Sequence, residues 1–299
     1  MIPVVRYFGL HRIVMRVFGE DITPAAAVLG PGDDADVAIV GGIHGDEPSG
    51  VRAVREVLES SANLQRPIQL VVANPPAVAS HRRYLDADMN RVFPGDPASE
   101  DRERRLAAAL LNIISDCGVV LSLHSTHSYD DPIAFVSRSH PEVQALAARL
   151  PVTHVVDPTP CFEGAFAASA PVLTIEAGRT RTEEATENAR QIVEAFLQLV
   201  DALPGEPVEV DSTYYTMTEA VSTQPDANYD LLVDNFEVVE PGTTVVRSEG
   251  DEYVADTSFV PILMSETGYD DILGYKGAVA GETLSSARNA WGVSPTPRN

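Results

Sequence analysis

Lysine is almost missing from this chain. Lys276 is the one example, and Lys and Arg together number 21 against 44 Asp and Glu, a formal net charge of −23 at pH 7. Phosphate backbones are gripped by clustered Lys and Arg, so a surface of this sign argues strongly against a nucleic-acid partner. Cysteine is scarce too: Cys117 and Cys161 are too few for a disulfide framework and lack any metal-binding spacing. They read as buried thiols in a reducing cytosol. No uncharged apolar run approaches the roughly 20 residues that a membrane span needs. Residues 1–20 are broken by Arg6, His11, Arg12 and Arg16, unlike the apolar segment of a secretory signal. The expectation is a cytoplasmic protein with no membrane partner. An acidic, lysine-poor, alanine-rich surface also suits concentrated salt, so a halophilic source is expected. Composition leaves a homo-oligomer open.

The stretch that organises the rest is Gly41-Gly42-Ile43-His44-Gly45-Asp46-Glu47-Pro48. Before it, residues 36–40 have the nearly continuous apolar, β-branched character of a strand buried on both faces, and two glycines then let the backbone turn. After it, Val51, Val54, Val57 and Leu58 recur at helical spacing. His44 and Glu47 therefore stand where a strand ends and a helix begins, the edge at which open α/β sheets gather ligands. An imidazole and a carboxylate converging there can hold zinc; the plainer reading is a turn cap and a first-turn acid favoured by the helix dipole. A third ligand tips the balance. Residues 119–123 form another buried-strand run that ends in His124-Ser125-Thr126-His127. Catalytic zinc sites use three protein ligands and leave a fourth position open, which His44, Glu47 and His124 would satisfy. His127 competes for the third place, but a strand end is the firmer mount.

The remaining chain alternates strands with helices. Strands are expected at 68–73, 132–136, 154–156 and 171–175, and helices at 49–60, 98–116, 141–150 and 183–203. Residues 77–97 read as one long irregular, functional region. Leu203-Pro204-Gly205-Glu206-Pro207 marks a boundary, after which short strands are expected at 208–210, 213–217, 236–239, 243–246 and 253–263. The expectation is an α/β fold with a mostly parallel doubly wound sheet over residues 1–203, and a small mainly β domain over residues 204–299 beside the mouth of the site.

His44-Gly45-Asp46-Glu47, the run from Arg83 through Asp88-Met89-Asn90-Arg91 to Gly95, Leu123-His124 and Thr174-Ile175-Glu176-Ala177-Gly178 together resemble the succinylglutamate desuccinylase and aspartoacylase family, relatives of the zinc carboxypeptidases. The resemblance implies a carboxypeptidase-like fold, one Zn2+ per chain on His44, Glu47 and His124, and amide hydrolysis of a small carboxylate-bearing substrate. Glu176 is the expected general base, and Arg83 the cation aimed at the developing oxyanion. The resemblance assigns Asn90 and Arg91 to the substrate carboxylate, which a guanidinium fork matches, and Asp86 and Asp88 to outer support. It also assigns Tyr269, in the segment 261–269, to the substrate. Two departures stand out. The family's aspartoacylases carry Asp two residues before the third ligand, where this chain has Ser122. They also carry an arginine about ten residues before the catalytic glutamate; here no arginine stands between Arg149 and Arg179, and Phe166 lies near that place. Without Arg179 or Arg181 turning inward, the substrate side chain is not expected to be acidic. A deacylase is the leading expectation. A carboxypeptidase-like peptidase, and a zinc-holding binder without turnover, are the alternatives.

Overall fold

Val37, Ala38, Ile39 and Val40 are buried on both faces, as a central parallel strand requires. They form β2 (Val37–Gly41) of a ten-stranded sheet in a computed structural model that describes residues 23–60, 63–222, 228–248, 250–267 and 272–293. The other strands of the first half are β1 (Ala25–Leu29), β3 (Ile68–Val72), β4 (Val119–Thr126), β5 (Ile133–Val136), β6 (His154–Asp157) and β7 (Val172–Arg179). From the second half come β8 (Thr213–Ser222), β12 (Val260–Ile262) and β13 (Ile272–Gly281). Their order is β1-β3-β2-β4-β7-β5-β6-β8-β13-β12. Five of the nine neighbouring pairs are parallel, so the sheet is mixed, with the parallel block β3-β2-β4-β7 at the site. β9 (Tyr229–Leu231), β10 (Thr244–Ser248) and β11 (Asp251–Val254) make a separate antiparallel sheet of three strands.

Helices cover both faces. Along β4 and β7 the side chains alternate, so Leu121, Leu123, Leu173 and Ile175 face one core with α1 (Pro48–Glu59), α4 (Pro141–Ala147), α5 (Glu183–Leu199) and α6 (Leu284–Ala290). Val120 and Val172 face the other core, with Leu106, Ala107 and Leu110 of α3 (Arg102–Ile113) and with Met89 and Phe93. By the same alternation Ser122, His124, Thr174 and Glu176 share this second face. That is the face overlaid by the loop of residues 81–97.

Several boundaries differ from the sequence expectations. Residues 77–97 are not wholly irregular: α2 (Pro75–Ser80), capped by the Asn74 side chain, enters the region, and a 3-10 turn at Met89–Arg91 lies within it. Residues 236–239 form no strand, because Phe236 takes a positive φ of 68° and Val239 makes only an isolated bridge to Phe259. β13 and α6 carry no strong periodic signal, since Gly274 and Gly277 interrupt the strand and Ser285, Ser286, Arg288 and Asn289 dilute the helix. Residues 1–34 read from the sequence as an edge strand or hairpin and a loop; β1 is an edge strand of the sheet, and the apolar piece at 12–17 lies outside the described residues. No described helix is long and apolar enough to cross a membrane.

Candidate active site

Two glycines allow the site to close. A Cβ on Gly50, in the first turn of α1, would sit 2.7 Å from the carbonyl oxygen of Leu123, so only glycine lets the helix lie this close to β4. Gly42 adopts φ +68°, a left-handed turn that releases β2 toward His44. The helix start thus carries Glu47 against β4. Glu47 Oε1 lies 2.7 Å from His44 Nδ1, and Oε2 lies 3.0 Å from His124 Nδ1. The Ser125 backbone N–H donates to Oε2 at 3.2 Å. One ligand atom from each of His44, Glu47 and His124 lies within 4.8 Å of the other two, and all three residues are buried.

The donor set fits a zinc ion. His44 Nε2 meets Asp88 Oδ1 at 3.1 Å, and His124 Nε2 meets Ser122 Oγ at 3.2 Å. With each Nε2 proton directed outward, both Nδ1 lone pairs face the Glu47 carboxylate, the orientation that outer partners of zinc histidines enforce. Ser122 thus occupies the place that raised a question in the sequence. His127 is exposed past the end of β4, outside the cluster.

Glu176 is the fifth of eight residues in β7, within the strand rather than at its end, and is the register partner of His124. Its Oε2 is buried and has no hydrogen-bond partner among the described residues. Burial, and then the neighbouring Glu47 charge, push its carboxyl up to about 7. Glu47 is driven the other way: burial opposes its ionisation, but His44 and His124 hold it well below the usual carboxylate range. Burial is the largest influence on His44 and disfavours its cation, but the Glu47 charge and the hydrogen bonds to Asp88 and Glu47 together raise the imidazole to about 9.

The overlying loop supplies the cations. Arg83 Nε donates to Asp88 Oδ2 at 3.1 Å, its Nη2 lies 3.0 Å from the same oxygen, and Nη1 donates to Glu47 Oε1 at 3.2 Å. Arg83, Asn90 and Arg91 line one cleft with His44, Glu47 and Glu176. Asp86 does not join them; it binds Arg102 at the start of α3. Tyr269 lies outside the described residues.

The cleft walls include residues that sequence reasoning missed. Phe135, Phe162, Ala165, Ala167, Leu263 and Tyr275 line it, from four separate segments. Phe162 stacks on Phe135 with centroids 6.1 Å apart and meets Tyr275 edge-on at 5.5 Å, while the Arg91 guanidinium sits 5.5 Å over its ring. Nothing in the local sequence joins these aromatics; only the backbone N–H of Ser125, next to His124, could have been anticipated. Phe166 is packed in the core against Phe93, and its backbone N–H donates to Asn90 Oδ1. Arg179 is held at the surface by Asp130 and the His127 carbonyl, and neither it nor Arg181 lines the cleft.

The family model of the succinylglutamate desuccinylase/aspartoacylase catalytic domain matches residues 33–200. An N-acyl-aromatic-L-amino acid amidohydrolase of Rattus norvegicus is 39% identical over 106 residues, 30% of this chain and 33% of that protein. A probable aspartoacylase of Parasynechococcus marenigrum is 34% identical over 128 residues, 38% of this chain and 42% of that protein. The matched segments thus span about a third to two fifths of these curated relatives. Among solved structures, a succinylglutamate desuccinylase/aspartoacylase from Rhodobacter sphaeroides superposes with a TM-score of 0.70 at 20% identity, covering 86% of this chain and 89% of that one. Murine aminoacylase 3 does so at 0.63 and 19%, covering 84% and 97%. These likenesses carry the fold, and the family match covers more than half of the sequence: the chain belongs to the succinylglutamate desuccinylase/aspartoacylase family.

Proposed function

We propose that this protein is a zinc-dependent deacylase that hydrolyses the amide of a small N-acyl amino acid with a free carboxylate and a neutral side chain. The observation that carries the reading is the unpartnered, buried Glu176 Oε2 beside the His44, Glu47 and His124 cluster. A zinc ion held by those three residues supplies Lewis acidity, lowering the pKa of water to about 7 and polarising a carbonyl. Glu176, raised toward neutrality, takes the proton of the attacking water and returns it to the leaving nitrogen. Arg83 has N–H donors left after its bonds to Glu47 and Asp88, and these face the oxyanion as it forms. Asn90 and Arg91, on the same cleft wall, hold the substrate carboxylate.

Two observations support a neutral side chain. Among the described residues the Arg side chains of the cleft are Arg83 and Arg91, already assigned, and its remaining wall is mainly Phe135, Phe162, Leu263, alanines and Tyr275. The name of the rat relative points the same way for that protein. Metal content by mass spectrometry, paired with amine release from a panel of N-acyl amino acids with and without chelator, tests the reading. We expect about one zinc per chain and chelator-sensitive cleavage of neutral substrates ahead of N-acetylaspartate. A chain without metal, or with turnover indifferent to chelator, would sink it.

A further inference from the structure

The loop that carries Arg83, Asp88, Asn90 and Arg91 is anchored by a residue outside the cleft. Glu103, in the first turn of α3, is fully buried. Its carboxylate accepts the backbone N–H groups of Leu85 at 2.7 Å, Asp86 at 3.0 Å and Ala87 at 3.2 Å, and the Asn74 side-chain amide at 3.2 Å. A buried carboxylate is tolerated only when its lone pairs are met, and here four donors meet them. The loop returns the contact. Asp101, the residue at the cap of α3, makes no side-chain cap bond; instead Asp86 accepts the Arg102 backbone N–H at 3.0 Å and its guanidinium at 3.0 Å. Helix and loop are therefore clasped from both sides, and α3 is itself fixed by buried Leu106, Ala107 and Leu110.

Leu85 to Ala87 lie between Arg83 and Asp88, so whatever fixes those three amides fixes both side chains. Asp88 in turn orients His44 through Nε2 and receives the Arg83 guanidinium. We infer that Glu103 is a positioning residue: its carboxylate, seated in α3, sets the loop that aims Arg83 at the cleft and, through Asp88, the imidazole of His44. The inference rests on the proposed function for the roles of Arg83 and His44, but the clasp can be tested apart from it.

The test is Glu103→Gln in the zinc-loaded chain. Glutamine keeps the size but turns an NH2 group toward donors, leaving amides unpaired. Amide exchange at residues 85–87 accelerates, kcat falls about 10- to 100-fold, and the zinc dissociation constant rises about tenfold. Glu103→Asp, which keeps the charge, recovers part of each loss. A variant that melts earlier but keeps the wild-type kcat and zinc affinity would make Glu103 a packing residue and overturn the proposal. Exchange indifferent to the substitution overturns the clasp. Should Glu103→Gln fail to fold, Asp86→Asn probes the other half, with the same direction expected and unchanged exchange and kcat decisive against it. Wild-type protein that neither binds zinc nor cleaves an N-acyl amino acid defeats the proposed function, while exchange at residues 85–87 still decides the clasp.

Discussion

Glu176 and Glu47 lie on the same face of the site and are driven in opposite directions. Glu47 faces two imidazoles and stays ionised, whereas Glu176 keeps an unpartnered oxygen and is raised to about 7. Two carboxylates whose environments separate their proton affinities can divide the roles of ligand and proton carrier. Glu176→Gln preserves shape and removes the proton carrier that the proposed function requires. Its kcat is expected to fall about 10²- to 10⁴-fold, with zinc content unchanged. Steady-state kinetics beside metal analysis checks this; full activity would remove Glu176 from the mechanism.

At the scale of the element, the site is a meeting of a helix start with two strands, and the spacing between them depends on Gly50. Ala there places a methyl 2.7 Å from the Leu123 carbonyl oxygen, inside the 3.4–4 Å of ordinary contact, so α1 must rise off β4 and carry Glu47 away from His124. Overpacking of this kind costs about 1–3 kcal/mol. Gly50→Ala is expected to melt several degrees earlier, at roughly 2–4 °C per kcal/mol for a chain near this size, and to bind zinc more weakly. A melting curve and a chelator competition test it; unchanged values in both would mean the helix can shift freely. The same element explains how much could be read beforehand. His44, Glu47 and His124 were legible because each follows an apolar β-branched run, so the strand end announces itself locally. The fit of Ser122 to His124 Nε2 was visible only as a question, and the clasp of Glu103 on Leu85 to Ala87 not at all, because it joins segments distant in sequence. β13 escaped notice because glycines break its alternation, and its pairing with β8 brings Tyr275 into the cleft by tertiary contact alone.

For the whole molecule the dominant quantity is charge. Forty-four acidic residues against 21 basic ones leave −23 on 299 residues. Many of the arginines are already committed: Arg52, Arg55, Arg102, Arg104, Arg179, Arg190 and Arg247 pair with neighbouring carboxylates at the surface, and the one lysine pairs with Glu219. Exposed pairs of this kind each contribute little and are themselves weakened by salt. The unpaired excess of carboxylates acts the other way, since its mutual repulsion disfavours the folded state and salt shortens the reach of that repulsion from about 10 Å at 0.1 M to about 3 Å at 1 M. Repulsion among the excess outweighs the loss of marginal pairs, so the melting temperature should climb as KCl rises from about 0.1 M to about 1 M. A thermal melt across that series, with zinc held constant, checks it. A melting temperature that falls with salt would show that the surface pairs, not the excess charge, govern stability, and would remove the composition argument for a saline setting.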